Sequence, residues 1–138
     1  MLRVNKKIEY GVIALLHLAA KPDKVASVRE IAAQCRVPET LLSKIMQSMK
    51  AVGLVSSTHG NQGGYRLNRD LSNISLLDIN QCLVGPVQVA ECLEPGNASC
   101  PVKENCSIVT PMQVLNQKII HLFQDTSLEA LSKKRAVS

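Results

Sequence analysis

The amino-acid sequence predicts a mainly α protein: a winged helix-turn-helix domain with a small β-hairpin wing, followed by a long C-terminal dimerisation helix. Three observations carry that prediction. Apolar residues make up 46% of the 138-residue chain, yet there is no Trp, one Phe and two Tyr, so the core must be assembled from Leu, Ile, Val, Ala and Met, which suits helices. Two helical patterns separated by a tight turn run directly into two strand-like stretches around a glycine-rich loop. The basic charge sits in that same half: residues 1–69 hold 11 Lys and Arg against 4 Asp and Glu, while residues 70–138 hold 5 against 7. Such a half suits a polyanion, because neutralising phosphates releases their condensed counterions.

The first helix is expected over residues 7–20, where Ile8, Val12, Leu15, Leu16 and Ala19 recur at helical spacing before the turn KPDK. Ser27, with Glu30 three residues later, has the pattern of a capping box and starts a second helix that ends near Cys35. Pro38 suits the first turn of a third helix, which Gly53 closes. Leu41, Leu42, Ile45, Met49 and Val52 are its expected buried stripe, and Thr40, Ser43, Lys44 and Gln47 its polar face. That face is the candidate surface for reading double-stranded DNA.

The runs LVSS and GYRLN, joined by THGNQG, read as a hairpin behind the helix-turn-helix, which makes it a wing. Gly60 and Gly63 permit close approach to a phosphate, and His59, Arg66 and Arg69 supply charge or hydrogen bonds beside them. A fourth helix is expected over residues 75–85, with Ser75 as cap and Asp78 in its first turn. Ser107 then caps a long helix that tolerates Pro111 and runs to about Gln124. Its Ile108, Met112, Leu115, Ile119 and Leu122 alternate four and three apart, a seam suited to a second copy of the chain. One more short helix is expected over residues 126–131. The chain thus divides into a DNA-binding domain at 1–85, a cysteine-bearing loop at 86–106 and a dimerisation segment at 107–138.

No leader-like pattern is visible at the start, and no apolar run reaches the roughly 20 residues needed to cross a bilayer, so a cytoplasmic protein without membrane contact is expected. In a reducing compartment, five cysteines point to a metal or to redox chemistry rather than to a disulfide framework. Cys35 and Cys82 fall on helices and read as small buried hydrophobes, and His17 as a half-buried structural histidine. Cys92, Cys100 and Cys106 share one turn-rich loop with the spacing C-x7-C-x5-C. Structural zinc prefers ligand pairs two to four residues apart, whereas longer gaps suit an iron–sulfur cluster, so a cluster ranks ahead of zinc or a reversible disulfide. No nucleophile and base are paired and no phosphate loop is present, which argues against an enzyme. A redox enzyme or electron-transfer module would also leave the basic winged half unexplained.

With GNQGGYRL in its wing, the SLLDI helix, three cysteines in a loop and a long helix ending in TSLEAL, nearly the whole chain resembles the Rrf-type bacterial regulators, the group containing IscR, NsrR and RirA. The resemblance implies a homodimeric repressor that binds palindromic operators and holds a 4Fe-4S or 2Fe-2S cluster in each cysteine loop, sensing iron, nitric oxide or redox state. The cysteine spacing is closest to the RirA and NsrR branches. Ser107-Ile108-Val109 stands where the IscR branch has a His ligand. In NsrR-like members an acidic residue of the first helix, supplied by the other subunit, completes the cluster, and the matching position is Glu9.

Overall fold

The computed structural model describes residues 4–21, 23–58, 64–89 and 109–133. Helix α1, Lys6–Ala20, starts where the Asn5 side chain accepts the Lys7 N–H at 2.8 Å. Its buried residues are Ile8, Gly11, Ala14, Leu15 and Leu18. Val12, Leu16 and Ala19 are only half-buried, because the buried face of the helix is centred on Gly11, Ala14, Leu15 and Leu18 and these three lie at its margins. Helix α2, Val28–Cys35, begins at Ser27, whose hydroxyl accepts the Glu30 N–H at 3.0 Å. Only that half of the expected capping box forms, since the Glu30 carboxylate is engaged by Lys21 and His17.

Arg36 turns the chain in the left-handed region, φ 57°, and Val37 plugs the corner, buried, before Pro38 opens α3, Glu39–Ala51. Leu42, Ile45, Met46 and Met49 form the buried face of α3. Val52 departs from the expected stripe: it is 51% exposed, because the helix ends at Ala51 and the backbone swings out into Gly53 at φ 83°.

The expected hairpin is larger than two strands. Strands β2, Val55–Thr58, and β3, Gly64–Leu67, pair as anticipated, but β1, Val25–Ala26, adds to the far side of β3 to give the antiparallel order β1-β3-β2. Gly64 permits that addition, since a Cβ there would lie 2.5 Å from the Ala26 carbonyl oxygen. Helix α4, Leu76–Leu83, has a full capping box between Ser75 and Asp78. Helix α5, Val109–Asp125, leads to α6, Leu128–Lys133.

The last helix returns to the core of the winged unit. Leu76 N–H donates to the Thr126 carbonyl at 2.8 Å and Leu128 N–H to that of Ile74 at 2.9 Å, while the Leu128 side chain is fully buried with Ile74, Ile79 and Leu15. Residues 126–133, grouped by sequence with the dimerisation segment, therefore share one hydrophobic core with residues 8–79. Among the described residues no helix is long and apolar enough to cross a membrane.

Candidate nucleic-acid interface

Helix α3 carries four of the expected DNA contacts, Thr40, Ser43, Lys44 and Gln47. Its buried side is held by Leu42, Ile45, Met46 and Met49, so helical periodicity turns Thr40, Lys44 and Gln47 outward, all exposed, with Ser43 half-buried at the margin. The spacing of 40, 44 and 47 places these side chains along a single ridge. Among the described residues, Lys44 makes no ion pair, and neither do the exposed Arg29, Arg36, Lys50, Arg66 and Arg69. Cations left unmatched in this way are open to phosphate oxygens.

Arg66 projects from the central strand of the wing. Tyr65 and Leu67 on either side are half-buried and buried, so strand alternation puts Arg66 on the solvent face, opposite Val25 and Ser56. Two clamps hold the hairpin. At its base Ser56 Oγ donates to Asn68 Oδ1 at 2.9 Å, and at its far end Thr58 Oγ1 accepts the Gly64 N–H at 2.9 Å and donates to the Gly64 carbonyl at 3.2 Å. His59, Gly60 and Gly63 lie outside the described residues.

Glu9 stands apart from this surface. It lies in the first turn of α1, exposed, with Oε2 3.0 Å from Lys6 Nζ, and the carboxylate's hydrogen bond raises the Lys6 ammonium above its ordinary value. Cys92, Cys100 and Cys106 lie outside the described residues. Cys35 and Cys82 are half-buried, and loss of water pushes both thiols up from their ordinary value.

Sequence reasoning missed a charged cluster between α1 and α2. Glu30 accepts from Lys21 Nζ at 2.7 and 2.9 Å and lies 3.3 Å from His17 Nε2; Lys21 first, then His17, hold its carboxyl below the usual carboxylate range. The signal was present in His17 and Lys21, four apart at the end of α1, both able to reach one acid. The cluster fixes α1 against α2 and so the first half of the helix-turn-helix.

A family model described as Rrf2, iron-dependent transcriptional regulator, matches residues 4–134. Protein aau3 of Rhizobium meliloti (strain 1021) is 31% identical over 134 residues, covering 97% of this chain and 87% of that protein. The HTH-type transcriptional regulator NsrR of Oceanobacillus iheyensis is 24% identical over 136 residues, covering 96% and 90% respectively. Among solved structures, CymR (YrzC), the global cysteine regulator of B. subtilis, matches with a TM-score of 0.72 at 26% identity, covering 96% of this chain and 98% of that one. T. potens IscR matches with a TM-score of 0.72 at 24% identity, covering 97% and 88%, a likeness of fold.

Proposed function

The chain belongs to the Rrf2 family of DNA-binding transcription regulators, and from that premise we propose that it is a cytoplasmic, homodimeric repressor whose operator affinity is set by an iron–sulfur cluster. Its relatives are regulators and not enzymes. The cluster would be held by Cys92, Cys100 and Cys106 with Glu9 of the partner subunit.

The observation that carries the sensing half is the state of Glu9. Its ion pair with Lys6 is open to water and therefore weak, so the carboxylate is free to exchange that contact for a metal. Three soft thiolates and one hard oxygen form a donor set that fits an iron–sulfur cluster with one weakly held iron. When bound, the cluster supplies a labile iron position open to oxygen, nitric oxide or iron loss.

Dimerisation is supported by what the chain leaves in water. On α5, Val114, Leu115 and Leu122 are 52%, 42% and 62% exposed, and Ile119 is half-buried. Val4, Ile8, Val84, Val89, Ile119 and Leu122 line an apolar cleft beside it. A second copy covers such a surface at the least cost in exposed hydrocarbon. Two α3 helices must then reach half-sites about one helical turn, roughly 34 Å, apart. The cysteine loop joins α4 in the DNA-binding core to α5, so ordering or releasing it alters the spacing of the recognition helices.

Anaerobic purification tests this reading. Coloured protein with stoichiometric iron and sulfide is expected, and Glu9→Ala should change its visible spectrum or hasten cluster loss while helix content stays unchanged. The likeness to CymR, a regulator named for cysteine, favours a second reading in which the thiols act without a cluster. Colourless protein carrying zinc or only free thiols would establish that alternative.

A further inference from the structure

The charged cluster between α1 and α2 has a fourth member that neither DNA binding nor the cysteine loop uses. His17 Nε2 faces Glu30 at 3.3 Å, and the opposite ring nitrogen, Nδ1, lies 3.8 Å from Cys35 Sγ. A carboxylate can only accept, so Glu30 places the ring proton on Nε2 and leaves the Nδ1 lone pair facing the thiol. Cysteine, imidazole and carboxylate thus stand in series, each within reach of the next, the arrangement that activates a nucleophilic sulfur. The His17 side chain is 16% exposed and Cys35 is half-buried, so the pair is sheltered without being sealed.

We propose that Cys35 is a reactive thiol, with His17 as its base, that organic or inorganic hydroperoxides oxidise to a sulfenic acid. The thiol proton passes to His17 Nδ1 and the sulfur attacks one peroxide oxygen. The S–O bond forms as the O–O bond breaks, and the departing hydroxide or alkoxide takes the proton back from the imidazolium. Thiol and hydroperoxide become sulfenic acid and water or alcohol; sulfur loses two electrons and the peroxide gains them.

His17 is needed here because the site is poorly hydrated. An isolated Cys35 thiolate is disfavoured by burial, whereas a thiolate–imidazolium pair is neutral overall and keeps Glu30 against its far side. Cys82 supplies the contrast within the same chain: it is also half-buried on a helix and also pushed up by burial, but among the described residues no imidazole faces it. The position is consequential. Cys35 ends α2, one residue before the left-handed Arg36 that directs the chain into α3, so an added oxygen must be accommodated between α1 and α2 at the corner of the helix-turn-helix. The proposal goes beyond the cluster reading and does not depend on it.

Peptide-resolved trapping tests it. The full-length protein is exposed to substoichiometric hydrogen peroxide at neutral pH with a sulfenic-acid-trapping dione, and the adducts at Cys35 and Cys82 are followed by mass spectrometry. Cys35 should label at least about tenfold faster than Cys82, and His17→Gln should slow Cys35 at least about fivefold without changing Cys82, a floor set well below the roughly 100-fold that a positioned base can contribute. Glu30→Gln, which frees the ring tautomer, should slow Cys35 in the same direction and provides the second variant if His17→Gln does not fold by circular dichroism. Equal labelling of the two cysteines, or a Cys35 rate unchanged in a folded variant, would overturn the assignment.

Discussion

Replacing Leu128 with Ala removes a side chain that is fully buried, from a helix that sequence grouping separates from the DNA-binding domain. The lost transfer energy plus the cavity left in the shared core should cost about 3 kcal/mol, in the range for buried Leu to Ala. For a chain of 138 residues each kcal/mol lowers the melting temperature by about 4 °C, so a fall of about 12 °C is expected. The backbone bonds from Leu76 to Thr126 and from Leu128 to Ile74 remain available, which confines the effect to packing. Thermal unfolding followed by circular dichroism, at matched protein concentration because a dimer's stability depends on it, gives the number. A loss below about 1 kcal/mol would mean that α6 only rests on the surface, and the claim of a single core would fail.

Other consequences concern the interface and its support. Lys44→Ala should weaken operator binding and reduce the slope of log affinity against log salt by about one, while an unchanged slope removes Lys44 from phosphate contact. Glu30 has a folded-state carboxyl held low, so its stabilisation is present above the ordinary carboxylate range and is lost as pH falls through the lowered value. Glu30→Gln should therefore lower stability by about 1 kcal/mol at neutral pH and flatten the acid limb of a denaturation series; an unaltered limb would discount the cluster. Gly64→Ala should displace β1 from β3, costing about 1 to 3 kcal/mol in denaturant unfolding, and a neutral result would mean that the Ala26 carbonyl moves aside freely.

The elements legible in the sequence are those whose signal is local. Ser27, Pro38, Gly53 and the Ser75–Asp78 pair mark helix ends through caps formed within a few residues, and all of them sit at or beside the observed boundaries. Strand β1 was not legible, because two residues have no periodicity and Val25–Ala26 is extended only by pairing with β3 some forty residues later. Val52 was misplaced for a related reason: periodicity was carried one residue past the turn at which the helix had stopped. The polar face of α3 followed from the same periodicity read from its other side. The Lys21–Glu30–His17–Cys35 cluster was hidden because each member has a ready local role, as turn residue, cap, helix histidine or small hydrophobe. Only the packing of α1 on α2 joins them.

The central claim is that operator affinity follows the state of a cluster held by the three loop cysteines. Its most direct test is the affinity for a selected operator duplex, measured side by side under anaerobic conditions for cluster-loaded and cluster-free protein. A difference of at least about fivefold is expected, the lower end of ordinary coupling between two sites. Equal affinities for protein confirmed to be loaded and protein confirmed to be empty would contradict it.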